Sequence, residues 1–388
     1  MSIYLDYAAT APVRPEVALE YARYLTLVGN PSSIHHLGQE ARRAVEESRE
    51  VIAAAVGCHR SEVIFTSGGT EGDNLAIKGL YWQRNSEDAA RRIVVTSAVE
   101  HHAVLDTVEW LEGQGAEVQF IPVDRTGALD ISWLENFLAE RGAEVALVTL
   151  MLANNETGVV SPLKNVSAIA ASYQIPVHTD AVAAFGHVAV NFADLGVAAL
   201  TISGHKIGAP VGIGALIVGR RVKLQSVQQG GGQERKLRPG TLNAAGVKAF
   251  AKAAEFALDE LDAEAARLGS LRDRLGSEIK QLIPSAEITA PGKWRIPGSL
   301  HLRLPDCSSD SLLFLLDQAK IAVSAGSACT AGVTGVSHVL LGMGYEEAEA
   351  TGSLRITLGY NSSEADVTAL LEALPTAYEA AKRAGSNN

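Results

Sequence analysis

Between about residue 40 and residue 220, short apolar runs rich in β-formers alternate with stretches of helical periodicity. This alternation constrains the fold more than any other feature. ARRAVEESREVIAAAVG (41–57) has helical spacing and ends on Gly57, and EVIFT (62–66) is a short strand-like run closed by SGGT. DNLAIKGLYWQR reads as helix, RRIVVTS (91–97) as strand and HHAVLDTVEWLEGQG as helix. The strand-like AEVQFIPV, EVALVTLML and IPVHT follow, separated by the helical ISWLENFLAERG and PLKNVSAIAASYQ, and then AALTIS and GIGALIVG. Strands interleaved with helices of this length imply βαβ units, an α/β fold and a mostly parallel sheet covered on both faces. In such sheets ligands sit beyond the carboxyl ends of the strands, so those ends are where function is sought.

After Gly240 the pattern changes. Residues 244–283 form a long Ala/Leu/Glu/Arg helical stretch, followed by GSLHLRLP (strand), SLLFLLDQ (helix) and SLRITLG (strand). This predicts a smaller α+β unit with a boundary near 255–262, without linker or internal repeat. A length of 388 residues also suggests two domains. The formal charge of −11 argues against a nucleic-acid or anionic-membrane binder, since no excess cation neutralises phosphate. RRVKLQ and QERKLR, between Arg220 and Arg238, are the basic exceptions. The apolar run Val145–Ala153 is too short for a bilayer, and MSIYLDYAAT lacks the basic start of a signal peptide, so a cytoplasmic protein is expected. Cys58, Cys307 and Cys329 are too sparse for a disulfide framework and offer no paired metal-ligand spacing. At most one of them is expected to do chemistry.

Three strand ends stand out. FTSGGTEGDN (65–74) runs from strand through a glycine turn into a helix, where backbone N–H groups and the helix dipole suit a phosphate. HTDAV puts Asp180 at the end of the IPVHT strand, and SGHK puts Ser203, His205 and Lys206 one βα step later. Singly, these read as an ordinary turn, a helix cap and a surface lysine. Together they match what pyridoxal phosphate requires: a phosphate cradle, a carboxylate for the pyridinium nitrogen and a lysine for the Schiff base.

With YLDYAAT (4–10), GNPSSIHHLG (29–38), EHHAVLDT (100–107), NNETG (154–158), GGGQERKLRPGT (230–241), AGSACTAG (325–332) and LRITLG (354–359), the chain resembles the NifS/IscS-type cysteine desulfurases of the class V aminotransferase superfamily. The resemblance implies an aminotransferase-like fold in a homodimer. It implies a large domain over 15–258, and a small one of 1–14 with 259–388. It makes Lys206 the Schiff-base lysine, Asp180 the pyridinium partner and His101 a ring-stacking proton-transfer group. Gly69, Thr70, Ser203 and His205 would bind phosphate, with Thr241 reaching in from the other subunit. Asn155 would contact cofactor or amino acid, and Arg355 the substrate carboxylate, for which a planar guanidinium is well shaped. Cys329, in the small-residue run SAGSACTAGVTG, would carry sulfur from L-cysteine to an acceptor protein, with alanine released. No metal, membrane or direct nucleic-acid contact is expected.

The sequence departs from the family pattern in places. Ala183 stands where glutamine is usual, Tyr7 where asparagine or histidine is, and IGAPVGIG and RPGT also differ. These changes ring the expected site and leave the pathway open: iron–sulfur assembly, thiolation, or DNA phosphorothioation through a protein acceptor. The alternatives are a selenocysteine lyase and an inactive partner-binding scaffold.

Overall fold

A computed structural model describes residues 2–326 and 335–385. Its strands in chain order are β1 (Ile3–Tyr4), β2 (Val63–Thr66), β3 (Ile93–Ser97), β4 (Glu117–Ile121), β5 (Val145–Thr149), β6 (Val177–Asp180), β7 (Ala199–Ser203) and β8 (Gly214–Val218), then β9 (Glu287–Ile288), β10 (Ser299–Arg303), β11 (Ile321–Ala322) and β12 (Ser353–Thr357). Strands β2 to β8 form one seven-stranded sheet in the order β2-β8-β7-β6-β5-β3-β4. The pairings among β4, β3, β5, β6 and β7 are parallel, while β8 runs antiparallel to both β7 and β2. The β2, β3, β5, β6, β7 and β8 residues are all buried, as expected for a sheet sandwiched between helices.

Two apolar clusters cover the faces of this sheet. One holds Phe65, Val148, Ile202 and Phe250, and the other Leu75, Leu80, Val104 and Leu216. A third core lies around the small antiparallel sheet β12-β10-β9, with Leu275, Leu302, Leu312 and Leu370. Leu5 of the N-terminal segment belongs to it. That segment enters through β1, which pairs with β11, and then bridges to Thr357 at Asp6. Tyr7 is 4% exposed and packs so tightly that a Cβ at Gly359 would come within 2.0 Å of its ring.

The stretch 244–283 differs from expectation. It is two helices, Ala244–Asp259 and Leu261–Leu282, meeting at Glu260, whose carboxylate takes a bidentate contact from Arg14 at 3.1 and 2.6 Å. Helix-forming side chains continue through the break, so propensity does not mark it.

Candidate active site

The carboxyl edge of the large sheet gathers what the sequence scattered. Strand β2 leads through Ser67 and Gly68 into the helix Gly69–Glu87. Glu71 in its first turn accepts from the Ser67 amide at 2.6 Å, and Arg238 holds Glu71 at 2.8 Å, so the turn is tied from both sides. A Cβ on Gly69 would meet Val182 at 2.7 Å; the missing side chain lets this helix start press against the segment after Asp180. One on Gly68 would face open space, with the Ser203 hydroxyl nearest at 3.9 Å. Ser203 is 1% exposed, yet its Oγ has no hydrogen-bond partner. A buried unsatisfied hydroxyl beside a helix N-terminus is what an absent anion leaves behind. Thr70 lies in the same first turn.

Asp180 closes β6, with its Oδ1 accepting from the Val182 amide at 2.8 Å. Burial raises its pKa, and His101 and Lys206 oppose that shift. His101 caps the helix His102–Glu112, its Nδ1 accepting from the Ala103 amide at 3.1 Å. With Nδ1 an acceptor, a neutral ring carries its proton on Nε2. Burial lowers the pKa and favours that neutral form. The ordinary helix-start reading of His101 and the functional one therefore use different nitrogens.

Lys206 ends a one-turn helix after β7, and its Nζ donates to the Ala8 and Ala9 carbonyls of the N-terminal segment. His205 sits 3.4 Å from the Thr10 hydroxyl, its pKa pushed down to about 4 by burial and by Lys206. In the NNETG loop Asn154 does the structural work, accepting from the Glu156 and Thr157 amides at 3.0 and 2.9 Å. Its neighbour Asn155 keeps a buried Oδ1 without a partner. Arg355 on β12 donates to the Asn155 carbonyl at 3.0 Å and to Asp6 at 2.9 Å, and its buried Nε is unpaired. Thr241 is exposed and joins none of these contacts within the chain. Cys329 lies outside the described residues. Of its flanks, Gly326 lies against Glu156, to which Ser337 Oγ also donates.

Sequence reasoning missed the buried polar layer under Asp180. His178, on the same face of β6, has Nδ1 2.9 Å from Thr149 Oγ1 and Nε2 3.0 Å from Thr201 Oγ1. Asp73, 1% exposed, lies 3.5 Å from His178 Nε2. Burial, then the charge of Asp180, raises the Asp73 pKa well above the carboxylate range. Burial lifts Glu100 to about 8, although Ser97 and the Met151 amide donate to it at 2.6 and 2.7 Å. Asp73 was detectable: with Ala76, Ile77 and Leu80 it occupies the apolar stripe of its helix, where a carboxylate is out of place.

The aminotransferase class-V family matches residues 3–370, and the chain belongs to it. An IscS-like cysteine desulfurase of Mycobacterium tuberculosis is 45% identical over 98% of this chain and 97% of its own. Within the family, then, the chain stands with the IscS-type cysteine desulfurases. A NifS-like protein superposes with a TM-score of 0.89 at 32% identity, covering 97% of this chain and 99% of the other. DndA from Streptomyces lividans does so with a TM-score of 0.76 at 35% identity, over 91% and 99%. Among the described residues no helix is long and apolar enough to cross a membrane.

Proposed function

We propose that the protein is a pyridoxal-phosphate-dependent cysteine desulfurase that moves the sulfur of L-cysteine onto Cys329 and releases alanine. The observation that carries this reading is the convergence, at one sheet edge, of an unsatisfied Ser203 hydroxyl beside a helix start, the buried Asp180 carboxylate and Lys206. These groups fit pyridoxal phosphate: Gly69, Thr70, Ser203 and His205 for the phosphate, Asp180 for the ring nitrogen and Lys206 for the covalent link. When bound, the cofactor supplies an electron sink that makes a Cα–H bond acidic.

The remaining work falls to the protein. Arg355, oriented by Asp6 and the Asn155 carbonyl, would hold the substrate carboxylate through its unpaired Nε. Lys206 Nζ would take the Cα proton, and the proton on His101 Nε2 is the one it can lend. Cys329 would accept the sulfur: the substrate C–S bond breaks, an S–S bond forms, and carbon keeps the electron pair and gains a proton. The other thiols suit this poorly, since burial pushes Cys58 up to about 12 and Cys307 up to about 11. The persulfide then passes to an acceptor protein. We further propose the division into a large domain over 15–258 and a small one of 1–14 with 259–388, supported by Leu5 in the C-terminal core. A homodimer would give the exposed Thr241 a role in the partner's site.

Cys329→Ser is the deciding variant. It should retain the cofactor's absorbance but make no alanine from L-cysteine; alanine and sulfide at the wild-type rate would sink the mechanism.

A further inference from the structure

His187 has no part in the chemistry above, yet its setting is unusual. It follows Gly186, whose positive φ of 78° turns the chain against Ile207 and Ala257. Its Nε2 lies 3.3 Å from the carbonyl oxygen of Lys206. A carbonyl only accepts, so Nε2 carries the hydrogen and Nδ1 is left with a bare lone pair. No described protein group is hydrogen-bonded to that nitrogen. His187 and Lys206 together line two small cavities, one of about 30 Å³ with Asn155 and Ala183 and one of about 50 Å³ with Arg14, Glu260 and Tyr360, and Tyr7 borders both. The first has room for a water or two beside the polar groups of His187, Lys206 and Asn155.

The charges around the ring are largely spent. Arg14 and Glu260 are paired with each other at 2.6 Å, and Glu264 is paired with Arg267 at 2.7 Å. Burial pushes Tyr7 up to about 12 and also raises Tyr360, so both phenols are neutral. Burial, with the charge of Lys206, holds the His187 pKa below its ordinary value although the bond to the Lys206 carbonyl opposes this, so the imidazole rests neutral.

Resting on the desulfurase reading, we propose that His187 is the proton acceptor for the incoming amino acid, taking the ammonium proton through water in the smaller cavity it shares with Lys206. An amino acid reaches the site as an ammonium, and only the free amine is a nucleophile. The substrate N–H bond breaks, nitrogen keeps the electron pair, and the proton arrives on Nδ1. The resulting imidazolium still donates from Nε2 to the Lys206 carbonyl, now as a charge-assisted bond. The proton returns when the product amine departs, so nothing is oxidised or reduced.

The test uses the cofactor-loaded enzyme and two variants. His187→Gln can place an amide donor near the Lys206 carbonyl, and His187→Asn is the second should the first fold poorly. Both should keep the cofactor's absorbance. At pH 7 kcat/KM for L-cysteine should fall about a hundredfold, the low end of what a positioned base supplies. The deficit should shrink as pH rises and the substrate itself arrives as free amine. The rate of the spectral change on adding L-alanine, which has no sulfur to lose, should show the same pH pattern. A deficit constant across pH, or none at all, overturns the proposal while leaving the desulfurase reading intact. A wild type that responds to neither amino acid overturns that reading, and this proposal with it.

Discussion

Two histidines are sealed inside this molecule, one in each main sheet, and burial pushes both down to about 3. On β6, His178 has both ring nitrogens engaged by threonine hydroxyls and looks across at Asp73. On β10, His301 has Nδ1 2.9 Å from Thr289 Oγ1, while its Nε2 is buried without a partner. It lies opposite Arg355 in the sheet register, and Arg355, Arg303 and Arg295 all help to keep it uncharged. The same neutral ring is thus packed into two opposite fields. Carboxylates crowd the first region, where burial raises all three and Asp180 adds to the shifts of both Asp73 and Glu100. Guanidinium groups crowd the second. A site between them is prepared for a cation on its floor and an anion on its wall, which is how a pyridinium and an amino-acid carboxylate would lie.

Removing the key charge on each side should have different kinetic signatures. Asp180→Asn should cut kcat by about a hundredfold to a thousandfold, the scale of losing a preorganised electrostatic contact. Arg355→Lys should instead raise KM by about tenfold to a hundredfold with kcat nearly kept, because a planar donor fixed by Asp6 and the Asn155 carbonyl becomes a mobile point charge. Steady-state kinetics with L-cysteine distinguish the two. Equal damage to kcat and KM in the arginine variant would assign Arg355 to the chemical step rather than to holding the carboxylate.

Smaller effects concern stability. His178→Ala strands two buried hydroxyls, and His301→Ala strands one. At about 1–3 kcal/mol for each orphaned group, urea unfolding should show the β6 variant losing more, by roughly one such increment. Equal losses would mean that the hydroxyls find other partners. The smallest effect is a slope. Glu100 has a folded pKa of about 8 against an ordinary 4.5, so between those values the unfolded chain has released a proton that the folded one keeps. Stability therefore falls as pH rises across that window. Glu100→Gln should flatten the decline between pH 5 and about 8, as thermal melts at several pH values would show.

The comparison also marks what the sequence could disclose. Short apolar runs rich in β-formers and stretches of period 3.6 announced the large sheet and its helices, and the ends of those runs pointed to Asp180, Ser203 and Lys206. The reversed direction of β8 went unread, because GALIV is as uniformly apolar as a parallel strand. Asp73, Glu100 and His187 lay within or beside recognised motifs but depend on tertiary burial for their character. Arg355 was found through resemblance; its tie to Asp6 spans 349 residues and has no local signal.

That long tie has a consequence for how the protein is made. During synthesis the strands of the large sheet, from Val63 to Val218, emerge before β9 to β12, with Asp180, Ser203 and the Gly68 turn already among them. The Asp6–Arg355 pair and the bridge from Asp6 to Thr357 must wait until nearly the whole chain has left the ribosome. Until β11 emerges the first residues have no strand to dock on, and until β12 follows Asp6 lacks both its partners. A nascent chain would thus acquire its cradle for the cofactor well before its grip on the substrate, and a chain cut short before β12 could hold the one without the other.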